Sequence, residues 1–520
     1  MIQQFLKGKW IGPLIAGILT FIALSRSNFL FAWICYVPLF FSLFNKTPKQ
    51  WFASGLIFGG VIAVFAFYWM IPGAERFTGN SILYGIGVFI LSALFLALYF
   101  GVLLYCFSKI KISNEHYPNI YINALLAAAV FTVAEALLMN VSAGFPWFDF
   151  HSAYFLAGNE YAIQPAAFFG IHILSFVVVF VNYLIAVFLF QKNYKHLFIP
   201  AVVIIAYLFA GYLIEQSFNQ SVSPQKSFTA AILAENIPPE MKWDDNNGNM
   251  LAERLLDLNR EAAQLKPDII VWSESAIPWT YRKDDDLVNE VLKITAPAQV
   301  THIMGINTGH ATNEVYNSAY CLLPNGAVAG RYDKQYLLSL VESPINGIII
   351  PFLSSSGFIE RKDTAHAAPL PTAYGKAGIM ICNECTVPQA AYSAVQQGAN
   401  FLCNMSNDGW FNDTYIVGMH FYNARLRAVA TRKDVVVNCN NGYSGLIQAS
   451  GKIAAQERST EPFVKMVTIQ PNNELTLTTQ YPLLFVYVCA VFIVVVFILI
   501  MKKKAGAYKG KNMQHSITLE

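Results

Sequence analysis

The sequence predicts a polytopic α-helical membrane domain joined to an extracytoplasmic α/β domain. Three observations carry this reading. The 520-residue chain is 55% hydrophobic and only 13% charged, about half the roughly 25% charged residues of a soluble globular chain. Its acids are segregated: six of 32 lie before residue 226, 25 lie between 226 and 479, and the last is Glu520. Long apolar runs are bordered by lysines at alternate ends. The same composition excludes intrinsic disorder, which requires low hydrophobicity and high net charge. A net charge of +3 is too small for a nucleic-acid binder built on basic patches. The expected division is a membrane domain over 1–225, an extracytoplasmic domain over 226–479, and a further span with a basic cytoplasmic tail over 480–520.

A spanning helix needs about 20 apolar residues. Seven segments precede the polar block, at roughly 10–25, 28–45, 52–72, 82–107, 121–140, 166–190 and 197–214, and an eighth covers 482–501 without a charge. The first is short and follows Lys7 and Lys9, as in a signal peptide. No small-residue cleavage site follows it, so it reads as a retained helix. With the N-terminus in the cytoplasm, 13 lysines fall inside, at 7, 9, 46, 49, 109, 111, 192, 195, 502, 503, 504, 509 and 511. The short outside loops carry only Arg26 and Arg76. By the positive-inside rule the block over 226–479 then lies outside, and both termini are cytoplasmic.

Glu135 and His172 fall at membrane depth. An ionisable residue there is a functional suspect, set against a structural hydrogen bond between helices. Two such groups are too few for an ion relay, which weakens a transporter reading. The outside loop Gly144-Phe145-Pro146-Trp147, followed by Asp149, His151 and Tyr154, reads either as an interfacial anchor or as a lipid-docking loop.

Within the polar block, short apolar runs alternate with amphipathic stretches. Strands are expected at 228–234, 268–273, 300–306, 314–323, 327–332, 377–383, 400–405, 434–440, 443–449 and 463–469, and helices at 247–265, 284–294, 388–397 and 416–431. This mixture predicts a layered α/β architecture with a buried sheet.

Five of the eight cysteines, Cys321, Cys382, Cys385, Cys403 and Cys439, lie in this block. An odd number in an oxidising space leaves at least one thiol unpaired. Cys382-Asn383-Glu384-Cys385 has the C-x-x-C spacing of thiol oxidoreductases. Cys382 also follows the apolar run Gly378-Ile379-Met380-Ile381, with a turn and a helix expected after it. At such an elbow the helix N-terminus favours a thiolate. A thiol nucleophile needs a base and an oxyanion donor. His302, His310, His366 and His420 are scattered and read as structural. Glu274, directly after the strand 268–272, and Lys334, after the strand 327–332, suit the two roles. All three residues lie at strand ends. No HExxH motif, paired CxxC or Gly-rich phosphate loop is present, so neither a metal nor a cofactor is expected.

Glu, Lys and Cys at strand ends, in this order and spacing, resemble the nitrilase superfamily. The further segments are Glu235-Asn236-Ile237-Pro238 with Lys242-Trp243, Trp272-Ser273-Glu274-Ser275, Tyr332-Asp333-Lys334, Ile381-Cys382-Asn383-Glu384, Asn404 through Phe411, and Arg425-Leu426-Arg427. With the eight spans and the GFPW loop, the chain resembles the apolipoprotein N-acyltransferase family over about 10–501. That resemblance implies a nitrilase-like αββα sandwich and a multi-pass protein of a Gram-negative inner (plasma) membrane. It implies acyl transfer from a phospholipid, with phosphatidylethanolamine expected, to the N-terminal amine of a diacylglyceryl-cysteine apolipoprotein. Cys382 would form the thioester, Glu274 would be general base, and Lys334 would stabilise the oxyanion. Glu342 would support Lys334. Asn383 and Glu384 would shape the pocket rim. Trp243 would pack on a lipid chain or cover the site, and Trp410 would meet the bilayer surface.

The sequence departs from the family's pattern in four places. Leu338-Ser339-Leu340-Val341-Glu342 keeps the acid but lacks the usual Pro and Gly. Asn383 stands where Tyr is usual, Ala430 stands where an acid usually follows the paired arginines, and Cys385 is an additional thiol. Three rival readings remain at this level. One is a membrane-anchored amidase using water as acyl acceptor. Another is a thiol oxidoreductase that needs both Cys382 and Cys385. The third is a polytopic transporter or scaffold, which would form no acyl intermediate.

Overall fold

The computed structural model of the protein describes residues 10–25, 28–72, 82–112, 116–142, 145, 150–221, 226–238, 241, 243–339, 342–343, 359–411 and 414–517. Among these, six helices are long and apolar enough to cross a membrane: Pro48–Phe67, Gly85–Ile110, Asn119–Val141, His172–Phe190, Tyr194–Gln220 and Leu484–Lys503. All eight expected apolar segments are helical, but the first two are shorter. Ile11–Ser25 has 15 residues. At 1.5 Å per residue it reaches about 22 Å, less than a hydrocarbon core of roughly 30 Å.

The second segment is broken into Phe29–Ala32 and Val37–Leu43. Asn182, on the helix His172–Phe190, clamps the break: it accepts from Tyr36 N (2.9 Å) and donates to Ala32 O (2.7 Å). The segment expected over 166–190 is also interrupted. Gly170, at φ 69°, separates Ala166–Phe169 from His172–Phe190.

Glu135 has a structural place. It accepts from Ser152 N (3.1 Å) and Ser152 Oγ (2.6 Å), and Ser152 Oγ in turn pairs with the Tyr36 hydroxyl (2.7 Å). His151 Nδ1 lies 3.6 Å from its other oxygen. The network ties three helical segments together inside the apolar half. The Gly144, Pro146, Trp147 and Asp149 positions of the GFPW loop lie outside the described residues.

The polar block forms two facing sheets. In the first, Phe228–Ala234, Ile269–Val271 and Thr301–Ala311 run parallel, with Phe463–Ile469 antiparallel at the edge. In the second, Gly375–Ile381, Phe401–Asn407 and Val435–Asn440 run parallel. Ile232, Ile270, Ile303, Ile379, Phe401 and Val436 meet in one core between the sheets. Helices Gly248–Leu265 and Asp286–Thr295 cover the first sheet, and Pro388–Gln396 and Tyr415–Thr431 cover the second. The layering is αββα. Gly248–Leu265 buries Leu251, Leu255, Leu258 and Ala262, the three- and four-residue spacing of one helix face.

The expected elements differ from the fold mainly at the edges. The strand expected at 314–323 is two strands, Glu314–Tyr316 and Ser318–Leu322, and Ile277–Thr280, Ile359–Glu360, Leu370–Thr372 and Ile453–Glu457 were not anticipated. These are short pieces whose pairing, not their pattern, makes them strands.

The two halves are joined by polar contacts. Gln164 Nε2 donates to Ser450 O (2.7 Å), Arg425 Nη1 to Ala157 O (3.0 Å), and Tyr415 Oη to Ala66 O (3.2 Å). Trp69 packs edge-on against Phe411 at 5.2 Å.

Candidate active site

Parallel strands bring their carboxyl ends to one edge, and the polar residues just past those ends converge there. Cys382 directly follows the strand Gly375–Ile381 and adopts φ 54°. A non-glycine residue in that region costs on the order of 1 kcal/mol and is retained where the surroundings over-determine it. Asn404, on the neighbouring strand, donates from Nδ2 to Met380 O (3.1 Å) and Cys382 O (3.4 Å), which holds the elbow.

One expectation is corrected here. Cys382 opens a 3-10 turn, Cys382–Thr386, and the next α-helix begins only at Pro388. No helix N-terminus supports a thiolate. Burial instead pushes the Cys382 thiol well above its ordinary value; Glu274 adds to the rise and Lys334 opposes it. The resting sulfur is a neutral thiol.

Glu274 is an electrostatic neighbour of that thiol and accepts from Asn317 Nδ2 at 2.9 Å. Burial raises its carboxyl, Lys334 pulls it back, and the net shift is upward. Lys334 is fully buried. Its Nζ donates to Glu342 Oε1 at 2.7 Å and lies 3.6 Å from Glu274 Oε1. Burial alone would favour neutral lysine, but Glu342, Cys382, Glu274 and Glu360 together hold its pKa well above the ordinary value. The ammonium is therefore fixed beside the nucleophile. Glu342 spends its second oxygen on Leu338 N (2.8 Å), which ties the segment after Lys334 to the ammonium.

Two supporting residues are placed differently from expectation. Asn383 and Glu384 do not form a rim; both are buried. Glu384 accepts from Ile381 N (2.7 Å), Gln335 N (2.6 Å), Tyr336 N (3.1 Å) and the Tyr332 hydroxyl (2.9 Å). It thus binds the strand that carries Lys334 to the elbow that carries Cys382. Asn383 Nδ2 donates to Tyr336 O (3.0 Å) on the same segment. Trp243 is half-buried and packs edge-on against Trp279 at 5.2 Å. Trp410 lies in the turn Gly409–Phe411; its side chain falls outside the described residues. Cys385 is a free, buried thiol whose Sγ donates to His420 O at 3.8 Å.

A cavity of about 1020 Å³ opens beside Glu274, with Met241, Trp243, Trp279, Glu235 and Glu360 in its walls. Sequence reasoning missed four neighbours of the site. Asn317 links the loop of Glu274 to Lys334, whose N donates to Asn317 O at 2.9 Å. Glu360 is buried at the cavity wall, and burial followed by Glu342 raises its carboxyl well above the usual range. His420, which reads as structural in the sequence, forms a buried pair with Asp408 at 2.7 Å. The only signal for Asp408 was its place in the polar run 404–408; Asn317 and Glu360 carried none.

An αββα half with Cys, Glu and Lys at converging strand ends, set on apolar helices, defines a membrane-embedded protein of the carbon-nitrogen hydrolase class. Residues 229–474 match the carbon-nitrogen hydrolase family model, and residues 16–184 match that of the apolipoprotein N-acyltransferase N-terminal domain. The chain is 24% identical over 488 residues to an apolipoprotein N-acyltransferase of Geobacter metallireducens, with 91% of each chain covered. It is 28% identical over 470 residues to that of Shewanella oneidensis, covering 84% of this chain and 86% of the relative. The crystal structure of a carbon-nitrogen hydrolase from Helicobacter pylori aligns with 47% of this chain and 89% of its own, at 17% identity and a TM-score of 0.37. The chain thus carries, in order, the N-terminal domain matched by the apolipoprotein N-acyltransferase model and the carbon-nitrogen hydrolase domain, and it is similar to apolipoprotein N-acyltransferases over most of its length.

Proposed function

We propose that the protein N-acylates the N-terminal S-diacylglyceryl-cysteine of apolipoproteins, with a phospholipid as acyl donor and Cys382 as the carrier of the acyl group. The observation that carries this reading is the meeting of the Cys382 thiol, the Glu274 carboxylate and the Lys334 ammonium beside a cavity, in a chain with these relatives. Glu274 takes the thiol proton as sulfur attacks the ester carbonyl of the donor. Lys334, with a backbone N–H near the elbow, stabilises the tetrahedral oxyanion. Glu274 returns the proton to the departing lysophospholipid alkoxide. The acceptor amine then attacks the thioester, the C–S bond breaks, and a proton reaches sulfur through Glu274. This is two-step chemistry through a covalent intermediate. Phosphatidylethanolamine is the proposed donor. The proposed setting is the inner membrane, with both termini cytoplasmic, domains at 1–225, 226–479 and 480–520, and the catalytic half outside.

The six helices of spanning length among the described residues are more than an anchor requires, which favours a lipid donor over simple amide hydrolysis. A redox pair is disfavoured because Cys385 is sealed from solvent and unpaired. The experiment is intact mass spectrometry of the purified protein after incubation with phosphatidylethanolamine vesicles. A hydroxylamine-labile acyl adduct on Cys382, absent in Cys382→Ala, is expected. No adduct under turnover conditions would overturn the reading.

A further inference from the structure

At the seam between the two halves, the helix Tyr415–Thr431 buries Arg427 completely. None of its guanidinium nitrogens, Nε, Nη1 or Nη2, has a hydrogen-bond partner. Arg425, two residues earlier, is the contrast: its Nε donates to Gly451 O at 2.6 Å and its Nη1 to Ala157 O at 3.0 Å. Asn423, one turn before Arg427 and therefore on the same helix face, is also fully buried, and neither amide atom of its side chain has a partner. One turn after Arg427 the helix offers Ala430 and Thr431, both buried, and the Thr431 hydroxyl donates to Arg427 O at 2.8 Å, which leaves the guanidinium without an acceptor there.

Further polar groups meet at this seam. A Cβ on Gly170 would lie 2.9 Å from Thr478 Oγ1, 3.7 Å from the Tyr392 hydroxyl and 3.9 Å from the His172 ring. His172 and Tyr392 are both electrostatic neighbours of Arg427, and His172 Nδ1 has no partner. On the catalytic side, the acids Asp408 and Glu384 share with Arg427 the electrostatic neighbourhood of Cys385. Both are engaged already, Asp408 by His420 at 2.7 Å and Glu384 by Tyr332 at 2.9 Å.

A guanidinium cannot escape the cost of burial by losing its proton. A buried charge without a counter-charge is strongly unfavourable, and each buried N–H needs an acceptor. Water would supply acceptors but no charge. Complete enclosure excludes a large ligand. We propose that Arg427, with Asn423 beside it, forms a buried site for a small monovalent anion such as chloride at the junction of the membrane and catalytic halves. The anion neutralises Arg427 and pins the helix Tyr415–Thr431, which also carries His420 to Asp408 near the nucleophile.

The test uses the full-length protein in detergent, melted in chloride, bromide, nitrate or gluconate at one ionic strength. The small anions should raise Tm over gluconate in a saturable way, by about 3 °C or more. Arg427→Met should abolish the difference. Ala430→Glu places a carboxylate one turn from Arg427, and should raise Tm in gluconate while removing the response to chloride. A bromide-soaked crystal should show an anomalous peak against the guanidinium. Equal Tm in chloride and gluconate for the native protein, or a dependence that survives Arg427→Met, overturns the site. If Arg427→Met does not fold, the bromide peak decides: ordered water alone at Arg427 overturns the proposal. None of these readouts depends on acyl transfer, so the failure of one idea leaves the other standing.

Discussion

The Lys334 ammonium lies 2.7 Å from Glu342 Oε1 and donates to it, while its other close carboxylate, Glu274, stands at 3.6 Å. The closer acid holds the cation, and the farther one acts on the thiol. This division of labour follows from position. Glu342 comes from the segment after the lysine and uses both oxygens locally. Glu274 comes from a different strand end and remains the electrostatic neighbour of Cys382.

Lys334→Met should leave the thiol and base in place but remove the oxyanion donor. Removing such a donor lowers the rate by about a hundredfold or more. Quenched-flow mass spectrometry of acyl-enzyme formation measures it. Acylation at the native rate in this variant would show that the ammonium is only a structural counter-ion.

Acylation should depend on pH through Glu274. Burial raises its carboxyl despite Lys334, so the active carboxylate forms only above the range in which a free glutamate titrates, about pH 4.3. The acylation rate should therefore rise with pH along a limb displaced to higher pH than a free glutamate would give. Glu274→Gln should abolish both the limb and the activity. A limb centred at or below the free-glutamate value would contradict the assigned base.

Cys385→Ala should retain acyl transfer within a few-fold of the native rate. Its thiol is fully enclosed and bonded to a backbone carbonyl. Loss of a small buried group costs on the order of 1 kcal/mol of stability. Loss of activity without loss of stability, measured by melting and turnover together, would revive a two-thiol mechanism.

Gly305→Ala tests how the base is held. A Cβ there would sit 2.1 Å from Ser273 O and 2.9 Å from Ser275 N, the backbone atoms on either side of Glu274. Backbone cannot give way as a side-chain tip can, and overpacking of this kind costs about 1–3 kcal/mol. The expected outcome is a lower Tm and acyl-enzyme formation reduced by about tenfold or more, since small misplacements of a catalytic group are costly. Unchanged kinetics would mean that the strand end carrying Glu274 is more yielding than its packing indicates.

The long periodic elements were legible without coordinates. The strands at 228–234 and 463–469 and the helices at 247–265 and 416–431 fall where their apolar spacing puts them, within a residue or so at each end. Glu274, Lys334 and Cys382 were legible as strand-end residues because each lies at or just past the end of an expected strand. Asn317 and Glu360 were not. One sits between two strands read as one, and the other in a two-residue strand made only by pairing with Glu314–Tyr316. The broken second helix was equally hidden, because its clamp, Asn182, lies 146 residues away from Tyr36.

The amino-acid order by itself determined which stretches form apolar helices, which form the α/β half, and which three side chains could carry acyl chemistry. Those properties depend on local hydrophobic period and on residue type, and both are written along the chain. Only the tertiary structure decided the charge state of the sulfur, the pairing of Lys334 with Glu342, the internal place of Glu384, and the isolation of Arg427. These depend on burial and on partners distant in sequence. In a buried site, the loss of water and the nearest opposite charge set protonation and cost, and neither can be read from a residue's neighbours in the chain.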